Sequence, residues 1–439
     1  MSAKKFLRKV QWCALLLNCL AIASIEAAEP ESNFTGKKGA EWTEWSPRKE
    51  IAPAFEVSER GGRVGESALK ISTDEESKFG AWRKRYSGVS QGNIHRLEAW
   101  YKTEGVKHDA RSVAPRLEWL DEKGRSLRPP EYAVAVEEKE GWKRVEIVSP
   151  APEKAAVAEV QLGFGFVKGS VLWDDIQFGK ATARDRVVIV ATVFHRPGRT
   201  KTAMESVEEF CRVTKEAALK KGDERPDIIC LPEGITVVGT GKSYLDVGES
   251  LPGPTTERLG KLAKELNSYV VAGLYEKEGA ALYNTAVLIG RDGKLAGKYR
   301  KTHLPREEWE AGITPGDEYP VFETDFGKVG LIICWDVQFP EPSRAMARKG
   351  AEVLLLPIWG GNETLAKARA IENHVFLVSS SYDMKTFVVD PEGKVLAEAT
   401  KEEPVAFAEM HLDKKIFQYW LGDMKARTWR ERRPDIAID

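Results

Sequence analysis

The chain has 439 residues, 66 Lys and Arg against 67 Asp and Glu, a formal net charge of −1, and 42% hydrophobic residues. A globular chain of that length has room for two or three domains. Near-neutral charge, with no basic patch interleaved with aromatics, excludes an electrostatically driven nucleic-acid binder.

The first stretch reads as a targeting segment. Lys4, Lys5, Arg8 and Lys9 form a basic head, Val10 to Ile25 is mostly apolar, and the small residues Ala27 and Ala28 precede Glu29-Pro30. This is the pattern of a secretory signal peptide over residues 1–28, so the mature chain is expected to be secreted, periplasmic or held in the cell envelope. Gln11 and Asn18 interrupt the apolar run, which is short for a membrane span. Two alternatives stay open: an uncleaved anchor, or a lipoprotein-type site at Leu16-Leu17-Asn18-Cys19. Of the five cysteines, removal of residues 1–28 takes Cys13 and Cys19 and leaves Cys211, Cys230 and Cys334. Three cysteines make no disulfide framework.

Residues 30–180 lack helical periodicity. Short alternating or aromatic-rich runs recur between turn signals: Ser67 to Ser72, Phe79 to Tyr86, Ile94 to Thr103, Ala114 to Leu120, Trp142 to Ser149, Glu159 to Phe166 and Val171 to Phe178. Strands at this spacing predict a β-sandwich. The closing run, Gly169 to Phe178, resembles the last strand of galactose-binding-like, carbohydrate-binding jelly rolls. That resemblance makes a glycan the candidate partner of this domain. Its tryptophans (Trp42, Trp45, Trp82, Trp100, Trp119, Trp142 and Trp173) either stack on sugars or fill the core, and core is the expectation for most.

A small, polar stretch from Lys180 to Asp185 reads as a linker, and residues 185–439 alternate strands with helices. Val187 to Val193 is an apolar, β-branched strand. Thr202 to Lys221 is an amphipathic helix with Val207, Phe210 and Cys211 towards one side. Ile228 to Leu231 is a short strand, Pro254 to Asn267 a helix and Tyr269 to Tyr275 a strand. Leu282 to Ile289 and Leu295 to Tyr299 flank the turn Arg291-Asp292-Gly293-Lys294. After Cys334 come a helix, Pro342 to Lys349, a strand, Glu352 to Pro357, a helix, Glu363 to Asn373, and a strand, Val375 to Ser381. Alternation of this kind predicts an α/β fold with a mixed sheet.

Three stretches in this half carry chemistry. Pro226 to Gly234 is a strand that delivers Glu233. Lys298 to Pro305 is a strand end that delivers Lys301. Gly330 to Glu341 is an apolar run that ends at Cys334 and bends at once. Taken singly, Cys334 is a small buried hydrophobe, Glu233 a loop carboxylate and Lys301 part of a basic edge. Together they supply what thiol attack on a C–N carbonyl carbon needs: a nucleophile, a base to take its proton, and a cation where charge develops. The N–H of Trp335, next to the nucleophile, is a second donor to that charge. The loop Leu354 to Asn362 opens at the same edge and offers Trp359 and Asn362 to a pocket.

The order Glu233, Lys301, Cys334, each in its local context, resembles the nitrilase superfamily of carbon–nitrogen hydrolases over about residues 185 to 435. The resemblance implies an α-β-β-α sandwich. It makes Glu233 the general base, Lys301 the catalytic lysine and Cys334 the nucleophile, and it adds a second, substrate-positioning glutamate from Glu307, Glu308 and Glu310, with Glu310 preferred. It implies a homodimer or larger homo-oligomer and a C-terminal tail, Trp420 to Arg433, that crosses onto a neighbouring subunit.

The expected function is hydrolysis of an amide or N-carbamoyl small molecule through a cysteine thioester, with no metal and no cofactor. No His pair has metal-ligand spacing, and no Gly-rich phosphate loop joins a strand to a helix. Rival readings are a nitrilase acting on nitriles, and a glycan-binding or scaffold protein whose hydrolase domain is inert.

Overall fold

The structure is a computed structural model, and it describes residues 32–34, 41–63, 67–222, 224–431, 433 and 436. The proposed signal segment, residues 1–28, lies outside the described residues. Within them no helix is long and apolar enough to cross a membrane. The chain divides into two compact units, one ending at Ala183 and the other beginning at Arg184.

The N-terminal unit is β-rich, and all of its strand pairs are antiparallel. One seven-stranded sheet runs Ala54–Ser58, Ala68–Thr73, Gly169–Lys180, Ile94–Glu104, Trp142–Pro150 and Val134–Lys139, with Ser32–Phe34 also on Gly169–Lys180. A five-stranded sheet runs Thr43–Trp45, Phe79–Ser87, Val157–Gly165, Val113–Leu120 and Glu131–Tyr132. Alternation along the strands sends Leu69, Ile71, Leu97 and Trp173 of one sheet, and Trp82, Leu117, Trp119 and Leu162 of the other, into a shared core. Trp42, Trp82, Trp100, Trp119, Trp142 and Trp173 are buried, so they are core residues and not sugar platforms. Trp45 is partly exposed, but the Arg83 guanidinium lies 3.7 Å from its ring centre. The sequence pattern missed Thr43–Trp45, Ala54–Ser58 and Val134–Lys139. The last of these is exposed along its length and has no apolar alternation to read.

The C-terminal unit stacks two six-stranded sheets. The first runs Leu295–Arg300, Ala281–Ile289, Tyr269–Glu278, Ile228–Cys230, Val187–Val193 and Val405–His411. The second runs Val321–Glu323, Lys328–Leu331, Val353–Pro357, Phe376–Ser380, Thr386–Val389 and Val395–Ala399. Both faces of each sheet are covered, which is why these strands read as continuous apolar runs. Val190, Ile228, Cys230, Val271 and Leu288 face the second sheet's Val329, Leu331, Val353 and Leu355. Their neighbours Ala191, Ile229, Leu231, Val270 and Val287 pack outwards with Val207, Phe210, Leu259 and Leu262. Those last four lie on the helices Ala203–Leu219 and Pro254–Leu266. Helices Pro340–Arg348 and Glu363–Asn373 cover the second sheet through Met346, Ala347, Ala366 and Ala370. The layers are therefore α-β-β-α. Helix Ala203–Leu219 begins one residue after Thr202, whose hydroxyl accepts from the Glu205 N–H. Cys211 and Cys230 are buried and free, as core residues.

Candidate active site

Glu233 leaves the strand Ile228–Cys230 at a place where the neighbouring strand has Gly273. A Cβ on Gly273 would come within 2.7 Å of the Glu233 Cα, so only glycine allows this close approach. Lys301 follows the strand Leu295–Arg300, and its register is set by the hairpin at Arg291–Lys294. Thr285 pairs with Arg300, and the Lys301 N–H donates to the Asn284 carbonyl at 2.9 Å. The same pairing brings the Asn284 side chain beside Lys301.

These groups form one buried cluster. Lys301 Nζ is 3.0 Å from Glu233 Oε1 and 2.9 Å from Glu308 Oε2. Asn284 Nδ2 donates to Glu233 Oε1 at 2.7 Å and to Glu308 Oε1 at 2.6 Å, so one amide bridges both carboxylates. The Trp359 N–H donates to Glu233 Oε2 at 2.9 Å, and the Tyr382 hydroxyl to the Glu233 carbonyl at 3.0 Å. Lys301 is 1% exposed and Glu233 3%. Burial works against the Lys301 ammonium, but the carboxylates of Glu233 and Glu308 outweigh it and hold its pKa above the ordinary lysine value. Burial raises the pKa of Glu308, with Lys301 opposing and Glu233 adding to the rise.

Cys334 enters from the second sheet. Strand Lys328–Leu331 leads into a one-turn 3-10 helix, Cys334–Gln338, and Cys334 takes φ +43°. A side chain with a Cβ rarely adopts that conformation, and such strain collects at functional turns. Asp336, fully buried, holds the turn. It accepts from the Ile333 N–H at 2.9 Å, the Tyr299 hydroxyl at 2.8 Å, the His303 N–H at 3.0 Å and the Thr302 hydroxyl at 3.2 Å. The cysteine turn and the lysine loop are thus tied to one carboxylate. Burial and the nearby Glu233 carboxylate push the Cys334 thiol up to about 12, with Lys301 opposing.

A cavity of about 840 Å³ is lined by Glu233, Lys301, Glu308 and Cys334, with Tyr244, Tyr275 and Trp359 among its walls. The arrangement places a thiol, a base, a buried cation and a second carboxylate around one space. It suits acyl transfer through a thioester.

The sequence profile of the family described as carbon-nitrogen hydrolase matches residues 189–415. The chain belongs to this family. Over 263 residues this hydrolase is 34% identical to the omega-amidase NIT2 of Xenopus tropicalis, covering 53% of this chain and 91% of that protein. It is 34% identical over 223 residues to the N-carbamoylputrescine amidase of Arabidopsis thaliana, covering 42% of this chain and 72% of that one. The solved structure of Saccharomyces cerevisiae Nit3, a member of branch 10 of the nitrilase superfamily, is 26% identical with a TM-score of 0.46; the match covers 52% of this chain and 90% of that one.

The hydrolase brings Glu233, Lys301 and Cys334 together, but not Glu310. Loop Arg306–Glu310 is a short helix whose third residue, Glu308, turns inwards to Lys301, while Glu310 is exposed and pairs with Arg306 at 2.7 Å. The second carboxylate of the cluster is Glu308. Asn362 is also displaced from its expected role: exposed, it caps helix Glu363–Asn373 by accepting from the Leu365 N–H at 3.2 Å. Trp359 does line the cavity, and its backbone N–H donates to the Glu233 carboxylate. The Trp335 side chain is 40% exposed, edge-on to Phe339. Sequence reading missed Asn284. Counting pairs back from the Arg291–Lys294 turn would have placed it opposite Arg300; the register shift between Leu288 and Ile289 brings it to Lys301.

Proposed function

We propose that this hydrolase cleaves small linear amides or N-carbamoyl compounds, with Cys334 as nucleophile, Glu233 as general base and Lys301 as the stabiliser of developing charge. The observation that carries the reading is the buried Lys301, Glu233 and Glu308 set lining the same cavity as Cys334. The names of the relatives, omega-amidase and N-carbamoylputrescine amidase, favour amide-type substrates over nitriles.

In the first half-reaction Glu233 takes the Sγ proton as sulfur attacks the carbonyl carbon. The carbonyl electrons move to oxygen, where the Lys301 ammonium and the Trp335 N–H receive them. As the C–N bond breaks, Glu233 returns the proton to the leaving nitrogen, and ammonia or an amine departs. Water then attacks the thioester while Glu233 takes its proton. The C–S bond breaks, the acid product leaves and sulfur regains the proton. Glu308 and Asn284 keep Lys301 and Glu233 aligned throughout, and Lys301 stays protonated.

Ammonia release by the purified protein tests this reading against a panel of aliphatic amides, mono-amides of dicarboxylic acids, N-carbamoyl amino acids and nitriles. Turnover of amides or carbamoyl compounds that vanishes in Cys334→Ala is the expected result. Turnover of nitriles alone would move the chain to the nitrilase reading. Silence across the panel would sink the proposal and favour a binding or scaffold role.

The N-terminal unit we read as a galactose-binding-like sandwich, supported by its two sheets around one core. With most of its described tryptophans buried, a glycan partner would be met by polar side chains. Binding of the whole protein to a glycan array tests that, and uniform silence would count against it. Export through residues 1–28 and a homodimeric or larger assembly complete the proposal. N-terminal sequencing of the exported chain and its sedimentation mass check these two points.

A further inference from the structure

Asp336 is fully buried, and among the described residues no lysine or arginine pairs with it. The one basic side chain within ion-pair distance is His303. The carboxylate is held by donors divided between its two oxygens. Oδ2 accepts from the Ile333 N–H at 2.9 Å and the Tyr299 hydroxyl at 2.8 Å. Oδ1 faces the lysine loop, with the His303 N–H at 3.0 Å, the Thr302 hydroxyl at 3.2 Å and the His303 Nδ1 at 3.0 Å. Burial and the Asp336 carboxylate hold the Tyr299 pKa well above its ordinary value, so that hydroxyl keeps its proton and donates.

The Nδ1 contact decides the form of the ring. An ionised carboxylate only accepts, so a bare Nδ1 would set one lone pair against another across 3.0 Å. The Thr302 hydroxyl lies 3.0 Å from Nδ1 and 3.2 Å from Oδ1, and its single proton goes to the charged oxygen, the stronger acceptor. Nδ1 therefore carries hydrogen. The plane of the ring is fixed as well: it stacks on Phe339, with 4.2 Å between centres and 14° between planes. Phe339 directly follows the turn Cys334–Gln338. The imidazole thus meets that turn in its middle, through Asp336, and at its end, through Phe339.

We infer that His303 is a positioning residue for Cys334: held in the Nδ1–H form, its ring pins Asp336 Oδ1 and so keeps Oδ2 aimed at the Ile333 N–H beside the nucleophile. In its effect on rate the inference rests on the hydrolase reading above. Without the Nδ1 donor the carboxylate swings towards its remaining partners on the lysine loop, and the Ile333 hydrogen bond weakens. Cys334 at φ +43° is costly to hold, so a loosened turn relaxes and carries the sulfur off its line of attack. Neither His303 nor Asp336 lines the cavity, so the loss falls on kcat and not on KM.

The test compares His303→Leu, which keeps apolar bulk against Phe339 and removes the donor, with His303→Asn, which returns an N–H close to the Nδ1 position. On an amide that the unmodified protein turns over, His303→Leu is expected to lower kcat about 30-fold, the scale of one hydrogen bond to a charged group, with KM changed by about twofold at most. His303→Asn is expected to bring kcat back to within about threefold of the unmodified protein. Two readouts need no turnover. Nitrogen–hydrogen correlation NMR of the unmodified protein labelled on histidine, with the His303 signals identified by their loss in His303→Asn, is expected to show a protonated Nδ1. Alkylation of Cys334 by iodoacetamide is expected to slow in His303→Leu and to recover in His303→Asn. A bare Nδ1, an Asn variant no better than the Leu variant, or a Leu variant as fast as the unmodified protein would overturn the inference. Should the Leu variant fail to fold, the NMR signature and the kcat of the Asn variant decide. Silence of the unmodified protein on every amide would sink the hydrolysis reading, and the NMR signature and alkylation rates would still decide the place of His303.

Discussion

The Cys334 thiol sits where its surroundings oppose the thiolate. Burial and Glu233 raise it to about 12, and Lys301 only partly compensates. At neutral pH the Cys334 thiol is therefore protonated, and in the proposed mechanism Glu233 takes that proton as the C–S bond forms. The sign of the linkage follows. The folded chain holds this proton more tightly than the unfolded one, so the contribution to stability is complete below the ordinary thiol value. It is lost as pH rises from there through about 12. Glu233→Gln removes a buried negative charge without changing shape. It is expected to lower the midpoint of the Cys334 thiolate absorbance titration, read as a difference from Cys334→Ala, while ammonia release falls about 100-fold or more. A midpoint that stays or rises would mean that Glu233 does not oppose the thiolate. Glu233, Lys301 and Cys334 could be found from sequence because each follows a strand and the three together, in that order, resemble the family pattern. Asn284 could not be found by residue type, since a lone Asn within a strand announces nothing until its cross-strand partner is known.

Among the elements, the turn Cys334–Gln338 depends on a single side chain. Asp336 accepts from three backbone or hydroxyl donors of the lysine loop, Tyr299, Thr302 and His303, and from the Ile333 N–H beside the nucleophile. Asp336→Ala removes the acceptor shared by the buried Ile333 N–H and Tyr299 hydroxyl and the half-buried Thr302 and His303 groups. A loss of about 3 kcal/mol of stability is expected, the scale of breaking a buried, charge-assisted network. The kcat should fall more steeply than stability would explain, because both Cys334 and the Lys301 loop lose their common anchor. Urea denaturation and kcat at a temperature where the variant remains folded check the two parts. Unchanged kcat would show that the φ +43° turn is held by other contacts. The sequence legibly gave strand ends, helix starts and the Arg291–Lys294 hairpin, because alternation, caps and turn residues are local signals. The short helix Arg306–Glu310 lacked such a signal: three glutamates in five residues leave the inward one undecided, and Glu308 is selected only by Lys301 and Asn284 across the sheet.

At the scale of the whole molecule, the two units each have a core of their own. The N-terminal core is built around Trp119 and Trp173, and the C-terminal one around the facing strands that carry Val329, Leu331 and Val353. The buried strands of the C-terminal unit were legible because doubly covered strands are apolar on both faces, while their α-β-β-α layer order came from the family resemblance; the exposed edge strand Val134–Lys139 carried no such signal. Separate cores mean that unfolding need not be a single cooperative event. Differential scanning calorimetry of the full chain is therefore expected to show two transitions. Trp119→Ala opens a cavity in the first core, a cost of about 4 kcal/mol. It should lower one transition by roughly 10 °C, on the usual 2–4 °C per kcal/mol for units of this size, and leave the other within about 1 °C. Leu331→Ala is expected to move the other transition alone, and to take hydrolysis with it, since Leu331 ends the strand that leads to Cys334. A single transition displaced equally by both substitutions would show that the units unfold as one, and the activity of the hydrolase would then depend on the integrity of the β-rich unit as well.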